Sequence, residues 1–500
     1  MIIKLVLMYR KGIILLTAYC ILPTILSARG QVYPDSAVRA ALTHCWNATG
    51  MTGGNRVTVR DSKGYIHLVF NVYGIWMRDS AEVYHTFSTD NGLTWSRPEN
   101  VSRTDTLPSV EPCLVVDSKD ILHCVWKQHQ YDSLNGIWSW DLYYSYRDQD
   151  GWSDPINVSR QYQRSNDSYY PSLVIDSRDH LHLVWDYYAD PTSWDIYYSC
   201  YNGTTWTDPY QLCNFPYDDA FPAIAIDPGD VLHVVWRQRA GGGPVYYCYK
   251  DSSGWSTPEV AAAPGGTGSA YPTVVADSKG RPHVVFTNWA TGFGDIYYTY
   301  RDTSGWTPVE NVSQSSIGSG YPALAVDSLG QLYLVWSENH DIYYSTRKDT
   351  VWSEPVNLTE DPAYSYCPNL GNPVSSQGVD LVWCSYLYEP PETYEIMYMK
   401  LTPIGVEEER ASALRNPDLI ATPNPFTHRV RIEYNLSSAA DIRFKILDVS
   451  GRIVEQFEPG VQPAGRHCFT WQVTNLPAGI YFLLFEIEGR TQSLRLVKIK

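Results

Sequence analysis

The stretch that decides the fold runs from Tyr321 to Thr359 and reads YPALAVDSLGQLYLVWSENHDIYYSTRKDTVWSEPVNLT. It contains four short segments rich in apolar and aromatic residues, PALAV, LYLVW, DIYYST and WSEPVNL, separated by turn residues. The first break, DSLG at residues 327–330, is typical of a tight turn that closes a β-hairpin. Both middle segments are apolar or aromatic at consecutive positions, so neither face of the predicted sheet suits water. Such a unit needs a copy of itself on each side.

The chain supplies these copies. An aromatic residue in the second segment recurs at intervals of about 47 to 59 residues, the length of one four-stranded unit with its loops. The Asp-Ser turn and a third segment of the D-I-Y-Y type recur with it. Seven such units stacked radially predict a seven-bladed β-propeller, although the divergent first and last units leave six or eight blades open. The recurring aromatic residues are Phe70, Trp126, Trp185, Trp236, Phe286, Trp336 and Trp383.

The two ends of the repeat region complete each other. The last unit has three predicted strands, but no W-S-x-P segment follows the third one. The segment 38–46, which precedes the first full unit, is placed to provide the missing outer strand. Pairing of the two ends would close the ring and remove its open edges.

We expect four segments along the 500-residue chain. Residues 1–28 are predicted to be a signal peptide, with basic residues before an apolar run and a small-residue cleavage site. Residues 29–402 are predicted to form the propeller and residues 403–422 a polar linker. Residues 423–500, with alternating apolar residues and closely spaced turns, indicate a small immunoglobulin-like β-sandwich. The predicted fold is therefore all-β, and no later apolar run is long enough to span a bilayer.

The net charge and the cysteine content limit the classes of function that fit this chain. The net charge of −16 excludes nucleic-acid binding, which needs a basic surface. Of ten cysteines, Cys20 leaves with the predicted signal peptide, so at least one of the others is unpaired. Cys113 with Cys124, and Cys367 with Cys384, flank predicted hairpins, and either disulfides or buried thiols fit this placement. No Cys/His spacing indicates zinc, and we expect neither a metal nor a cofactor.

Motifs near the C-terminus resemble a known secretion signal. Residues 423–426 read P-N-P-F, a D-x-x-G-R turn begins at Asp448, L-P-A-G-I-Y-F begins at Leu476, and a basic strand ends at Lys500. Together they resemble the type A sorting domain of bacterial type IX secretion substrates. The resemblance implies recognition by that secretion machinery, and a secreted or outer-membrane surface location on a Gram-negative-type bacterium.

Residues 88–95 read S-T-D-N-G-L-T-W, and the other units keep only fragments of this motif. The pattern S-x-D-x-G-x-T-W resembles the Asp-box of sialidase and BNR-repeat propellers, and the resemblance implies that fold for roughly residues 57–400. The aspartate can bond turn amides, the glycine allows a positive φ, and the tryptophan can pack between strands. We therefore interpret the motif as a fold staple and not as a catalytic group.

Candidate binding residues lie in the predicted loops between second and third strands, on the face opposite the Asp-Ser turns. Exposed aromatic residues on loops of a rigid scaffold suit a sugar or peptide ligand, and arginines there could hold an anion. The Tyr-Pro or Phe-Pro pairs that begin the inner strands are interpreted as packing at the rim of the channel. The predicted ligand-binding residues are Trp76, Trp138, Trp140, Tyr187, Trp194, Arg237, Arg239 and Trp289.

Two further residue types repeat once per blade. A histidine follows the turn aspartate by six residues, and an acid begins most third strands. A residue repeated at one position of every blade is normally a packing or hydrogen-bonding element, so we predict structural roles, although the acids could form a cation site. The positions are His67, His123, His182, His233 and His283, and Asp141, Asp195, Asp295 and Asp341.

No catalytic residue is predicted. The sialidase resemblance implies three arginines, an early R-I-P motif and an Asp, Tyr and Glu set, but R-I-P does not occur and the arginines of these loops do not match the triad's setting. The sequence thus predicts a secreted or cell-surface propeller that binds an extracellular glycan, or else a protein ligand, without cleaving it. A divergent glycoside hydrolase and a structural surface-layer protein stay open as alternatives. The acids available to a hydrolase are Asp79, Asp132, Asp186 and Asp190.

Overall fold

The computed structural model consists of β-strands, turns and connecting segments, with no helix among the residues that it describes. The chain divides into two compact units, Met1–Thr402 and Pro403–Lys500. The described residues are 5–9, 12–16, 37–43, 56–72, 81–104, 107–132, 136–159, 167–190, 193–239, 243–266, 268–348, 350–359, 363–371, 374, 378–387, 393–401, 420–422, 426–436, 439–448, 452–473, 476–477, 479–487 and 490–498.

Three strands precede the first blade. β1 (Leu5–Tyr9) and β2 (Gly12–Leu16) pair as an antiparallel hairpin inside the segment predicted to be a signal peptide. Removal of that segment stays a prediction. β3 (Val38–Thr43) follows and belongs to the propeller.

Seven antiparallel sheets make up the propeller, so the predicted blade number is confirmed. In blades 1 to 6 the strands pair in chain order, and the first strands of successive blades from 1 to 7 are in contact. The strands of blades 1 to 3 are β4 (Thr58–Arg60), β5 (Ile66–Val72), β6 (Glu82–Ser88), β7 (Glu99–Asn100), β8 (Ser109–Val116), β9 (Leu122–Asp132), β10 (Ile137–Asp148), β11 (Gly151–Trp152), β12 (Ile156–Asn157), β13 (Ser168–Ile175), β14 (Leu181–Asp190), β15 (Ser193–Tyr201) and β16 (Tyr210–Gln211).

In blades 2, 4, 5 and 6 the outer strand consists of two short pieces that pair with the same third strand. The break falls at the proline of the repeated W-S-x-P or W-T-P segment, because proline has no N–H to donate to the ladder. The strands of blades 4 to 7 are β17 (Asp219–Ile226), β18 (Leu232–Gln238), β19 (Val245–Asp251), β20 (Gly254–Trp255), β21 (Glu259–Ala262), β22 (Ser269–Ala276), β23 (Pro282–Asn288), β24 (Asp295–Asp302), β25 (Gly305–Trp306), β26 (Glu310–Asn311), β27 (Ser319–Val326), β28 (Leu332–Glu338), β29 (Asp341–Lys348), β30 (Val351–Trp352), β31 (Val356–Asn357), β32 (Tyr364–Leu370), β33 (Val379–Leu387) and β34 (Thr393–Leu401).

The two ends of the propeller pair as expected. β3 is antiparallel to β34, with Val38 opposite Tyr398, and so becomes the outer strand of blade 7. Blades 1 and 7 are also joined by Arg60, whose Nε and Nη2 donate to the two oxygens of Asp380 at 2.7 Å each. The ring is therefore closed by a shared sheet and by a buried ion pair.

The blades are joined by one repeated aromatic contact. A tryptophan after the third strand packs edge-on against a ring in the preceding blade, with centroids 4.9 to 5.5 Å apart. Edge-to-face packing at this distance is favourable because the positive ring edge faces the negative face. The pairs are Trp95–Tyr398, Trp152–His85, Trp206–Tyr144, Trp255–Tyr198, Trp306–Tyr247 and Trp352–Tyr298.

The Asp-box acts as the predicted staple. Asp90 accepts hydrogen bonds from the backbone N–H and the hydroxyl of Thr94, at 2.8 and 2.6 Å. Ser88 Oγ accepts from the N–H of Gly92, which has a φ of 87°. Trp95 Nε1 also donates to the carbonyl oxygen of Gly92 at 3.2 Å. All four contacts are internal to one turn, so the motif fixes the turn that places Trp95 between blades.

The repeated histidines and acids have the predicted structural roles. In four blades the histidine Nδ1 lies 2.7 to 2.8 Å from a tyrosine hydroxyl of the third strand. The acids at the start of third strands accept hydrogen bonds from an asparagine side chain of the outer strand. The N-V-S and N-L-T sequences therefore serve as strand-start caps. These acid–amide pairs are Asp141–Asn157, Asp295–Asn311 and Asp341–Asn357.

The cysteines that the structure describes are all free thiols. Cys113 and Cys124 lie on neighbouring strands but are offset, because Cys113 is opposite Val125. Burial raises the pKa of both thiols. Of the two alternatives left by the sequence, the structure thus contains buried thiols.

The second unit is the predicted β-sandwich. One sheet has the order β35–β36–β39 and the other β38–β37–β40–β41, and buried side chains of both sheets form one core. Across the described part of the whole chain, no helix has the length and apolar character needed to cross a membrane. The strands are β35 (Ile420–Thr422), β36 (Arg429–Leu436), β37 (Ala440–Asp448), β38 (Ile453–Gln462), β39 (Gly465–Gln472), β40 (Gly479–Ile487) and β41 (Arg490–Lys498).

Candidate functional site

Blades 2 and 3 carry hairpins that extend beyond those of the other blades. β9 and β10 have 11 and 12 residues, and β14 and β15 have 10 and 9. Trp138, Trp140 and Trp194 were expected on loops, but they lie on these strands. The expectation was wrong because strand pairing continues through the aromatic segments, with Trp138 opposite Tyr131 and Trp140 opposite His129.

These hairpins carry a continuous run of rings, which we call the aromatic platform. Residues 129, 131, 138 and 140 share one face of the first hairpin, since side chains alternate along a strand. Tyr169 of β13 connects this face to the second hairpin, and every consecutive pair has centroids 4.7 to 6.2 Å apart. In order, the platform is Tyr131, Trp138, His129, Trp140, Tyr169, Trp194 and Tyr188.

A second run, the rim arc, lies where the inner strands begin. Each member precedes a proline, has a φ of 50° to 56° and sits at a β-bulge. Consecutive centroids are 4.4 to 5.0 Å apart, as expected for the predicted packing residues. Tyr169 and Tyr170 join the arc to the platform at 5.9 Å. The rim arc is Tyr170, Phe221, Tyr271 and Tyr321.

A buried ion pair supports the platform from below. Lys127 Nζ lies 3.1 Å from Glu111 Oε1, and both side chains are about nine-tenths buried. The same ammonium group is 4.0 Å from the ring centroid of Tyr169 and 4.7 Å from that of Trp140. Cation–π attraction and the ion pair together fix the ring positions.

Asp186 is a buried acid that interacts with both members of this ion pair. One carboxyl oxygen accepts a hydrogen bond from the N–H of Phe221 at 3.3 Å, and the other has no partner among the described residues. Burial raises the pKa of this carboxyl well above its ordinary value, and the charge of Glu111 adds to the shift. Burial of Asp186 therefore favours the uncharged form of its carboxyl group.

The two candidate arginines differ in environment. Arg237 is half-buried, with its guanidinium group 4.6 Å from the ring centroid of Phe221 and Nη1 donating to the carbonyl oxygen of Ser269. Arg239 is exposed and pairs with Asp218 at 3.3 Å. Among the described residues no carboxylate forms an ion pair with Arg237, whereas Arg239 is paired with Asp218.

The other predicted binding residues are not brought into the platform. Tyr187 is 2% exposed and packs edge-on against Tyr197, since alternation turns it to the inner side of β14, so its predicted availability to a ligand was wrong. Trp289 is half-buried in the blade 5 hairpin and makes no ring contact with the described members of the platform. Trp76 lies outside the described residues.

The sequence interpretation missed several members of this region, including Tyr131, His129, Lys127 and Glu111. One signal could have found the charged ones. The residue directly after the recurring Trp or Phe of the second strand changes from blade to blade while the aromatic residue repeats. A position that varies inside a repeat is a candidate for a specific role. These residues are Asn71, Lys127, Asp186, Arg237, Thr287, Ser337 and Cys384.

The capping cluster between blades 3 and 4 also departs from the repeat. Asp195, Cys213 and Asp219 are buried, with ligand-type atoms within 4.8 Å of one another. Cys213 Sγ donates to Asp219 at 3.2 Å, and the side-chain amides of Gln211 and Gln238 donate to the two carboxyl groups. Protein donors thus meet these acids, as in the strand-start caps of the other blades, and we assign no metal to them.

This cluster predicts a pH effect on stability. Burial raises the pKa of Asp219 to about 7, so the folded state holds its proton more tightly than the unfolded chain does. Stability that is present at pH 4 is therefore lost as the pH rises towards 7. Asp219→Asn should remove this loss, which is on the order of 2 to 4 kcal/mol. Urea unfolding between pH 4 and 8 measures the free energy of unfolding of each variant. Asp154→Asn, at an exposed site, is the control, and the same dependence of this free energy on pH in the Asp219→Asn and Asp154→Asn variants would contradict the prediction.

Two family models match the chain. Residues 35–334, more than half of it, match the BNR repeat-like domain, and residues 422–500 match the secretion system C-terminal sorting domain. The chain therefore belongs to the BNR repeat-like domain family. Its sorting domain marks it for type IX export to the cell surface or extracellular space of Bacteroidetes-type Gram-negative bacteria, as the sequence predicted.

Solved structures of similar fold include glycan-active enzymes. A polysaccharide lyase, an ulvan lyase bound to -[GlcA(1-4)Rha3S]-, is 13% identical, with a TM-score of 0.53 over 72% of this chain and 95% of that one. The α-L-arabinofuranosidase of Fusarium graminearum, solved with arabinobiose, is 14% identical, with a TM-score of 0.43 over 73% and 98%. At its identity the lyase similarity shows the fold alone. The comparison with curated proteins found no match.

Proposed function

We propose that this exported propeller binds an extracellular glycan through the aromatic platform, without cleaving it. The observation that carries the proposal is the unbroken run of seven rings across two extended hairpins. Trp138 and Tyr131 at its outer end are 51% and 50% exposed. A run of exposed aromatic rings on a rigid scaffold suits the apolar faces of successive sugar rings. The ulvan lyase of similar fold supports a glycan ligand only by analogy of fold.

The platform is rigid before any ligand arrives. Trp138 and Trp140 are held by cross-strand pairing, and Lys127 fixes the rings of Trp140 and Tyr169 from the buried side. A pre-formed surface loses little conformational entropy on binding, which favours useful affinity from stacking alone.

Trp138→Ala should weaken glycan binding about 10- to 30-fold, because a tryptophan that stacks on a ligand contributes about 1.4 to 2 kcal/mol. The measurement is a glycan array with the purified protein, followed by calorimetric titration of each hit. Tyr210→Ala is the matched control, since Tyr210 is 54% exposed on an outer strand of blade 3. Equal affinity of the Trp138 variant and the wild type would contradict the platform as the binding surface.

A glycoside hydrolase is the second candidate, and one observation favours it. Asp186, a buried acid whose pKa is raised by burial, lies close enough to the ion-paired Glu111 for the two carboxyl groups to interact. Two carboxyl groups in contrasting environments are the arrangement that glycosidases use. Release of new reducing ends from a bound glycan, lost in Asp186→Asn, would establish this activity. No release from any glycan that binds would leave the binding function alone.

A further inference from the structure

The guanidinium group of Arg237 is held in place but forms no ion pair with the described residues. Its flat face packs over Phe221, and one edge donates through Nη1 to the carbonyl oxygen of Ser269 at 3.2 Å. Nε is buried and has no hydrogen-bond partner among the described residues, and none of their carboxylates pairs with Arg237. Leaving a buried N–H unpaired costs about 1 to 3 kcal/mol. The guanidinium group is therefore fixed in position, and its Nε lacks a hydrogen-bond acceptor among the described residues.

Arg60 shows what the same edge does when an acceptor is present. Its Nε and Nη2 grip the two oxygens of Asp380 side by side, each at 2.7 Å. This two-point geometry is the one in which a guanidinium group binds a carboxylate or a sulfate most strongly. In Arg237 the Nη1 edge is used by Ser269, and the edge that carries Nε is the one without a described acceptor.

The surroundings of Arg237 favour an anion. The titratable groups that interact with it are Arg239, Tyr271, Tyr170 and Asp186. No ion pair joins Asp186 to Arg237 among the described residues, and burial raises the pKa of that carboxyl, which favours its uncharged form. Arg239 is paired with Asp218, and the two tyrosines offer hydroxyl groups. The rim thus presents donors and positive charge beside the inner end of the platform.

We propose that Arg237 binds a carboxylate or sulfate group carried by the glycan, while the sugar chain lies on the aromatic platform. This inference rests on the proposed glycan-binding function and makes the ligand an acidic polysaccharide. The net charge of −16 excludes attraction by a diffuse basic surface. Binding should therefore depend on one local contact. The logarithm of the binding constant should fall with the logarithm of the salt concentration by a slope of about one, as for a single phosphate-like contact.

The test compares three polymers, hyaluronan with carboxylates, κ-carrageenan with sulfates and neutral laminarin, by calorimetric titration at two salt concentrations. Arg237→Gln should weaken binding of the preferred acidic polymer about 10- to 50-fold, and Arg237→Lys, which keeps the charge, should recover part of it. Arg301→Gln is the control. It also removes one positive charge, but from an ion pair with Glu259, which lies on an outer strand. Thermal unfolding of each variant checks its folding.

The acidic polymer that binds more tightly distinguishes a carboxylate from a sulfate ligand. Two results would overturn the inference and leave glycan binding intact. One is tighter binding of laminarin than of either acidic polymer, and the other is an acidic polymer that binds the Arg237→Gln variant as tightly as the wild type. If no polymer binds, the proposed function fails, and titration with glucuronate and glucose 6-sulfate tests the anion site alone. Binding of either that is lost in Arg237→Gln supports the site, and binding of neither overturns it.

Discussion

Replacing Arg60 with alanine is expected to destabilise the propeller by about 3 to 5 kcal/mol, the usual effect of removing one partner of a buried ion pair. Arg60 and Asp380 join blades 1 and 7 with side chains only 11% and 6% exposed. Without the arginine, Asp380 keeps one short hydrogen bond, from the hydroxyl of Tyr398, and no cation. Urea unfolding followed by tryptophan fluorescence measures the loss.

Arg39→Ala is the matched control for this prediction. Arg39 pairs with Glu395 across β3 and β34, at the same closure of the ring, but its side chain is 55% exposed. An exposed pair contributes about 0 to 1 kcal/mol, so the control should unfold almost as the wild type does. If both variants lose the same stability, closure of the ring depends on strand pairing and the buried ion pair does not stabilise it specifically.

Gly92→Ala is expected to cost about 2 to 5 kcal/mol for two separate reasons. A Cβ at this residue would lie 1.9 Å from a ring carbon of Tyr398, which is buried between blades 1 and 7. The φ of 87° adds the strain of a left-handed conformation, about 1 to 2 kcal/mol, to the cost of overpacking. Thermal and urea unfolding of the variant give the size of the effect.

Gly64→Ala separates these two contributions. Gly64 has a φ of 81°, but an added Cβ would meet no atom within 4 Å. This variant should therefore lose only the conformational part, about 1 to 2 kcal/mol. A Gly92→Ala variant no less stable than the Gly64→Ala variant would show that the Asp-box tolerates a shift of Tyr398 and does not hold the blades as tightly as the contacts indicate.

The architecture was predictable because it repeats. A unit whose two faces are both apolar must pack against neighbouring units. The recurrence of Trp336 and its counterparts predicted the number of blades. The missing W-S-x-P segment also predicted that the chain ends pair, which β3 and β34 confirm. The same reasoning identified the repeated histidines as structural, since a residue that recurs at one position of most blades does not mark a single site. The Asp-box was identified as structural because its residues suit the contacts of a turn.

The candidate site was only partly predictable, because it consists of departures from the repeat. Trp138, Trp140 and Trp194 were found as irregular aromatic residues, but their place on strands was not. Tyr187 looked equivalent to them in sequence, and only the phase of β14 shows that it points inwards. Tyr169 was missed, since its role comes from radial stacking that brings it between two hairpins.

The sequence by itself determined the class of fold, the closure of the ring and the C-terminal sorting domain, because each rests on a pattern that repeats or on a local motif. It predicted seven blades, and the structure decided between seven and the alternatives of six or eight. Only the tertiary structure decided which side chains meet. The platform needs two neighbouring hairpins to face each other, and the environment of Arg237 depends on which acids lie near it and how burial shifts their pKa. Burial and distance set those properties, and neither is encoded in the spacing of residues along a chain.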